Sequence, residues 1–269
     1  MKLSYSDLIG YAPIPVEIDE CVIGHIRKPL LSDIDQLGWR LFEVYESALT
    51  LTPQALLDVM TPNGKELWNE LSKSSEHEVK LFDIITLLPP CTQFYLDILH
   101  FFFVEPVIFA NGVFWVLKHE YEMNTNLTKD DVYGAVTREN FHLAVDIMQC
   151  VCCIHNSKQD GEKDLKFKNK LAEELYHKMH GGENEDKTPL PKKIDKNLTT
   201  ANIISAVANV HPSLNYTNIY QLTLPQLYDV FQRMQQLEIY DLQKRQVSIW
   251  GDEKNKFDMS SWYHNLHDQ

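Results

Sequence analysis

The sequence predicts a mainly helical α+β protein: an N-terminal helical domain with two β-hairpins, a charged linker and a small all-helical C-terminal module. Three observations lead to this prediction. Apolar residues recur at helical spacing through most of the chain. Two pairs of short β-branched runs flank tight-turn residues. The chain shows neither an alternation of strands and helices nor a glycine-rich phosphate loop, which argues against a parallel α/β sheet.

Both hairpins are predicted from their turns. Pro13 and Pro29 bracket two β-branched arms that Asp19-Glu20 connects. Further along, Val107-Ile-Phe-Ala and Val113-Phe-Trp-Val-Leu flank Asn111-Gly112. Because Asn-Gly accepts the positive φ values of a type I′ turn, this second hairpin has the stronger local signal.

Helices are predicted between and after the hairpins, with N-caps expected at Ser32 or Asp33, at Thr52 and at Thr137. Thr52 is followed by proline, which suits the first helical turn. Together these helices and the two hairpins make residues 1–155 one α+β domain. The helical patterns of this domain cover residues 34–48, 53 onward, 62–71, 76–88, 91–103 and 141–151.

A charged linker is predicted from residue 156 to residue 197. It holds ten lysines and nine acidic residues, and glycines and prolines follow one amphipathic pattern at about residues 162–179. This composition predicts a mobile tether that contains one helix. The tether joins the N-terminal domain to the C-terminal module.

The C-terminal module, residues 198–269, is predicted to be helical. One helix is expected at about residues 200–209, and a second at about residues 224–248 that Gly251 ends. A short segment closes the chain. Three short helices cannot bury much surface by themselves, so we expect this module to dock on another surface.

Composition and charge argue against two classes of function, nucleic-acid binding and membrane insertion. The net charge is −13, and the residues outside the linker carry −14, which argues against nucleic-acid binding because phosphates require a basic surface. The N-terminus is too polar for a signal peptide, and the most apolar stretch is interrupted by polar residues. Five cysteines without an export signal indicate reduced thiols. We therefore expect an intracellular protein that binds no membrane.

The cysteine cluster at Cys150-Val-Cys-Cys-Ile-His155 is the sharpest chemical candidate, since thiolates and imidazoles are zinc ligands. On a single helix, however, Cys150 and Cys153 share one face and Cys152 and His155 share another. No second pair of ligands completes a tetrahedron, so we expect these cysteines to pack in the core. We expect no metal, no cofactor and no catalytic residue.

Aromatic residues are dense in the C-terminal module. Tyr and Trp supply much of the energy of protein interfaces, and the same residues also pack small helical cores. Both interpretations stay open at this point. The candidate partner-binding residues are Tyr240, Trp250, Phe257, Trp262 and Tyr263.

Both ends of the chain resemble a known family. The start carries Ile23-Gly-His-Ile-Arg-Lys-Pro-Leu-Leu-Ser-Asp-Ile, and the end carries Asn202-Ile-Ile-Ser-Ala-Val-Ala and, later, Ile239-Tyr-Asp-Leu-Gln and Trp250-Gly-Asp. These stretches are similar to small phage tail proteins encoded before the tape-measure gene in tailed phages and prophages of Gram-positive bacteria. The resemblance spans both ends and omits the linker.

The resemblance implies a tail-assembly chaperone that works in the host cell cytoplasm. Such a protein keeps the tape-measure protein soluble and recruits tail-tube subunits, and self-association is an open possibility. Two other classes remain: a structural tail adaptor or completion protein kept in the virion, and an enzyme whose site forms only in three dimensions. The first would be found in finished particles, and the second would require a deep pocket with perturbed acids or histidines.

Overall fold

A computed structural model of the chain describes residues 3–74, 77–120, 128–154, 199–252 and 257–263. The predicted linker, with its helix, lies outside these residues. The predicted fold class is confirmed, because helices dominate and two small antiparallel sheets accompany them.

Both hairpins are confirmed. Strand β1 (Ile14–Ile18) pairs with β2 (Cys21–Ile26), and β3 (Val107–Ala110) pairs with β4 (Val113–Leu117). The connecting residues take positive φ in both turns: 48° and 67° at Asp19-Glu20, and 55° and 75° at Asn111-Gly112. Positive φ at two consecutive residues is the backbone of a type I′ turn, which matches the twist of the flanking strands.

A strand that the sequence analysis missed completes the second sheet. Strand β5 (Val132–Val136) pairs antiparallel with β4, so the order is β3-β4-β5. Gly134 lies in its middle, and a Cβ there would approach the Cβ of Ile23 on β2 to 2.7 Å. The glycine is therefore required by the close packing of β5 on β2.

The helices of the N-terminal part follow the predicted patterns with three corrections, and α1 (Tyr5–Ile9) is a further helix that was not predicted. The helix expected over residues 34–48 is two helices, because Gly38 interrupts it with a φ of 94°. The predicted cap at Ser32 or Asp33 is wrong, because Leu30 holds the N-cap position and both residues lie inside the helix; Asp33 accepts a hydrogen bond from the backbone N–H of Leu30. The helix expected from residue 76 begins at Leu81. These helices are α1 (Tyr5–Ile9), α2 (Leu31–Leu37), α3 (Trp39–Thr50), α4 (Pro53–Met60), α5 (Gly64–Ser74), α6 (Leu81–Leu87) and α7 (Pro89–Phe102).

The Thr52 cap is confirmed and the Thr137 cap is wrong. The Thr52 hydroxyl accepts the backbone N–H of Ala55 at 3.3 Å, at the start of α4. Helix α8 (Phe141–Val151) begins four residues after Thr137, because Asn140 turns the chain: its amide oxygen accepts the Thr137 backbone N–H at 2.7 Å. An asparagine bond of this kind stabilises a turn in place of a helical start.

The C-terminal residues pack on this body. They form α9 (Thr200–Val210), a 3₁₀ turn (Ile219–Gln221) and the long helix α10 (Leu224–Trp250). Ile203, Val207 and Leu227 are buried in the same hydrophobic cluster as the N-terminal helices and strands. The C-terminal module therefore docks on its own N-terminal domain.

Main-chain and side-chain hydrogen bonds fix this docking. The backbone N–H of Leu31 donates to the carbonyl of Leu222 at 2.8 Å, and Leu30 forms a β-bridge with Thr223. The amide of Gln226 donates to the carbonyl of Ile9 at 2.7 Å. These bonds set the direction in which α10 leaves the body.

Candidate partner-binding arm

Helix α10 changes character along its length. Its first residues, Leu224, Pro225 and Leu227, are buried, and the side chains up to Met234 still pack against the core. No described residue of α10 after Met234 belongs to that core. A helix of 27 residues is about 40 Å long, so more than half of it extends beyond the body.

A segment that returns along this extension forms the second part of the same feature. Residues 257–263, the return segment, end in a 3₁₀ turn (Ser261–Tyr263) that lies against α10. The Arg233 guanidinium donates to the carbonyl of Trp262 at 3.5 Å. We call residues 235–250 together with the return segment the arm.

Arg233 anchors the base of the arm. It donates to the hydroxyl of Tyr5 at 3.4 Å and lies 3.7 Å from a carboxylate oxygen of Asp229. Tyr5 donates its own hydroxyl hydrogen to Asp229 at 2.6 Å. Helix α1, helix α10 and the return segment therefore meet at one polar cluster. Burial is the largest cause of the raised pKa of Tyr5 there.

The five predicted partner-binding residues all lie on the arm, where they fall into two groups. The rings of Tyr240 and Phe257 stack on each other with centroids 5.5 Å apart, and both are half-buried. The other three side chains are open to solvent, with exposed fractions of 77% for Trp250, 45% for Trp262 and 59% for Tyr263. Tyr240 and Phe257 thus hold the arm together, while Trp250, Trp262 and Tyr263 form its outer surface.

Several aliphatic residues of the arm were not among the predicted site residues. Their side chains are exposed to solvent, at positions of a helix or turn where polar residues are usual. Their signal in the sequence is an apolar periodicity that continues past the point where α10 leaves the body. These residues are Leu237, Ile239, Leu242, Ile249 and Met259. Exposed apolar residues grouped in this way mark an interaction surface.

A cavity of about 450 Å³ lies where the C-terminal module meets the body. Trp39, Phe42 and Glu46 line it from α3, and Thr200 and Ser205 line it from α9. Burial, together with the neighbouring carboxylate of Glu43, raises the pKa of Glu46 to about 7. Glu46 therefore changes its charge near neutral pH at this junction.

A larger cavity of about 850 Å³ opens between α6 and α8. Two polar side chains of its lining, Arg138 and Gln149, are engaged with protein partners. Arg138 donates to Asp83 at 2.6 Å and to the carbonyl of Glu78 at 2.8 Å, and the Gln149 amide donates to the carbonyl of Leu49 at 2.6 Å. These bonds tie the walls of the cavity together.

The cysteine cluster differs from the predicted single helix. Helix α8 ends at Val151, and Cys153 adopts a φ of 57°. The backbone N–H groups of Cys153 and Ile154 donate to the carbonyls of Cys150 and Gln149, the pattern of a Schellman motif. The cysteines therefore do not share one helix, because two of them form its C-terminal cap.

Burial dominates the chemistry of these thiols. It raises the pKa of Cys152 and, to about 12, of Cys153, whereas Cys150 is exposed. The Glu46 carboxylate adds to the effect at Cys152 and Cys153. A raised thiol pKa disfavours the thiolate, which is the form that attacks electrophiles and binds metals.

Neither a metal-binding cluster nor a membrane-spanning helix is found in the described residues. They contain no group of three or more His, Cys, Asp or Glu side chains arranged to hold a metal ion. In the same residues, no helix combines the length and apolar character needed to cross a membrane.

Comparison with known proteins gives one match. Residues 192–267, about a quarter of the chain, match the family model of the YomV second domain. No curated protein and no solved structure matches the chain. YomV is a Bacillus prophage protein, and the match supports a phage-related origin. The matched residues include all of the arm, so the arm belongs to the part of the chain that is similar to a phage-derived domain.

Proposed function

We propose that this chain is a non-enzymatic phage tail-assembly protein that acts as a chaperone in the host cell cytoplasm. In this role it binds the tape-measure protein and recruits tail-tube subunits. The observation that carries the proposal is the arm, a long helix that leaves the body and presents aromatic and aliphatic side chains to solvent. The match to a phage-derived domain over the same residues supports it.

The chemistry of the arm suits protein recognition. Trp and Tyr contribute large contact areas with few rotatable bonds, and alanine substitutions of such residues at interface centres often cost about 2 kcal/mol or more. Within the return segment, the rings of Trp262 and Tyr263 pack edge to face with their centroids 5.2 Å apart. An aromatic pair that is already ordered loses little conformational entropy when a partner binds.

The charge of the chain supports the same role. A net charge of −13 keeps a protein apart from other acidic proteins and from nucleic acid. A client that carries exposed apolar segments would remain in solution when it is bound to such an acidic carrier. The arm would thus bind the client through apolar contacts, and the acidic body would keep the complex in solution.

The test is co-expression of the tagged full chain with the tape-measure and tail-tube proteins of the same phage or prophage. We expect the wild-type chain to keep the tape-measure protein soluble and to retain it on the affinity resin. The Trp262→Ala/Tyr263→Ala variant should retain less than about a tenth of it, as loss of one or two interface hot spots implies. Val59→Ala is the matched control, because Val59 is 72% exposed on α4, away from the arm.

Two outcomes would contradict the proposal. Equal retention by wild type and by the arm variant would remove the arm as the binding surface. Mass spectrometry of purified particles tests the chaperone role itself, since a chaperone is absent from finished tails. If the chain is found there in fixed copy number, it is a structural adaptor or completion protein.

A further inference from the structure

The outer face of α10 carries an exposed apolar stripe. Ile239, Leu242 and Ile249 are 47%, 67% and 71% exposed, and exposed Gln246 lies between the last two. Their spacing of three, four and three residues places all four on one side of the helix. The same spacing defines the contact positions of a two-stranded coiled coil. We call these four residues the seam.

The seam is the side of the arm that the return segment leaves uncovered. The return segment contacts α10 through the stacked pair of Tyr240 and Phe257 and through Arg233. Gln236 and Val247, which point to the same side as Tyr240, are half-buried, whereas every seam residue is exposed. None of the four seam residues belongs to the hydrophobic core of the described residues.

The charges beside the seam indicate what fits on it. Glu238 and Arg245 lie seven residues apart along the same flank, and both are exposed. The other flank carries Gln243 and Trp250, which are uncharged. In an antiparallel pair of identical helices, each flank faces the same flank of the second helix. Glu238 of one copy would then lie beside Arg245 of the other, and two-fold symmetry would repeat this ion pair.

The register of the seam agrees with this arrangement. When Ile239 of one copy faces Leu242 of the other, Glu238 of one copy is nearly level with Arg245 of the other. Exposed Gln235 then faces Gln246, a polar pair that can specify register. A parallel pair would instead place Glu238 opposite Gln243 and Arg245 opposite Trp250, and both ion pairs would be lost. We propose that two copies of this chain associate through an antiparallel pairing of their α10 seams.

The seam is short, so the association depends on concentration. Specific stable interfaces bury about 800 Å² on each partner, and four seam residues with their flanks supply less. A reversible dimer leaves the other side of each arm, with Trp262 and Tyr263, free to bind a different protein. The inference therefore does not depend on the proposed function.

Sedimentation velocity of the purified full chain, between about 1 and 200 µM, tests the proposal, because a small interface predicts dissociation in the micromolar range. We expect the wild-type sedimentation coefficient to rise with concentration from that of a monomer to that of a dimer. Leu242→Glu places a charge in the seam and should keep the chain monomeric throughout. Val59→Glu, a charge at an equally exposed site on α4, should sediment as the wild type does.

Charge exchange tests the antiparallel register. Glu238→Arg and Arg245→Glu each place like charges beside one another and should weaken the dimer about tenfold. The double exchange, E238R with R245E, restores both ion pairs only in the antiparallel homodimer and should return the dimer to within about threefold of wild type. All of these side chains are exposed, so the variants should keep the circular dichroism spectrum of the wild type.

Three results would overturn the proposal. The first is a wild-type chain that stays monomeric up to 200 µM, the upper limit of the range above. The second is a double exchange that fails to restore dimerisation. The third is a wild-type chain that is monomeric together with a Leu242→Glu variant that no longer retains the tape-measure protein. This result would mean that the seam binds a helix of a different protein. None of these results bears on Trp262 and Tyr263, so the proposed function stands or falls separately.

Discussion

The two halves of α10 have similar apolar patterns and different surroundings. Leu227 in the first half is fully buried between α9 and the body, whereas Leu242 in the second half is two-thirds exposed. Both residues belong to one uninterrupted helix. The comparison shows that helical periodicity identifies the face of a helix that favours contact, while the neighbouring elements decide whether that contact is core or surface.

The largest expected effect tests this difference directly. Leu227→Ala should lower the free energy of unfolding by about 2–4 kcal/mol, because it removes buried methyl groups and leaves a cavity. Leu242→Ala should change it by no more than about 0.5 kcal/mol, because its side chain is already in water. Urea denaturation followed by circular dichroism measures both. Equal losses for the two variants would mean that the second half of α10 is also packed.

The pH dependence of the junction should give the next largest effect. The pKa of Glu46 is raised to about 7 in the folded chain, so folding favours its protonated form. This contribution is complete below the pKa of an ordinary carboxyl group, is lost as the pH rises to about 7, and is constant above that.

Glu46→Gln should therefore leave stability almost unchanged near pH 4 and increase it by about 1–2 kcal/mol at pH 8, a range that allows for partial solvent screening. Urea denaturation at the two pH values measures the difference. Glu66→Gln, an exposed substitution on α5, serves as the control. A stabilisation of equal size at both pH values would exclude titration of Glu46 as the cause.

A smaller effect is expected where α10 leaves the body. Tyr5→Phe removes the hydroxyl that donates to Asp229 and accepts from Arg233, and it should cost about 1 kcal/mol. Tyr11→Phe, at an exposed tyrosine of the same N-terminal region, should cost almost nothing. The midpoints of thermal unfolding compare the two variants. If they agree, the polar cluster does not contribute to docking of the C-terminal module.

The smallest expected effect is confined to the arm. Phe257→Ala removes the ring that stacks on Tyr240, a contact worth about 0.5–1.5 kcal/mol. Global stability should stay within about 0.5 kcal/mol of wild type, since both rings are half-buried and lie outside the core. Amide hydrogen exchange at residues 257–263 should accelerate by about two- to tenfold. Unchanged exchange there would show that the return segment is held by other contacts.

Local signals predicted much of the fold. Both hairpins were predicted from their turn residues, Asn111-Gly112 and Asp19-Glu20. The start of α4 was predicted from Thr52-Pro53, and the end of α10 from Gly251. Each of these features depends on nearby backbone geometry alone. Thr137 failed as a cap because Asn140 offers the chain a competing turn. The break at Gly38 was missed because the apolar positions continue in phase across it.

Features that depend on distant contacts could not be predicted. Strand β5 is short and contains a glycine, and only its packing on β2 explains why Gly134 is there. For the arm, aromatic density correctly identified an unusual segment, but it could not separate Tyr240 and Phe257, which stack on each other, from Trp250. Which aromatic residues are packed and which are exposed depends on where α10 leaves the body, and the whole fold determines that position.

The bond between Tyr5 and Asp229 has a consequence for how the protein is made. The two residues are 224 positions apart, and the core that α2 and α10 share likewise needs segments distant in the sequence. During synthesis the early helices leave the ribosome long before α10 exists, so their apolar faces stay uncovered in the interval. A truncated product that lacks α10 should therefore keep this apolar surface exposed and be cut by proteases faster than the full chain.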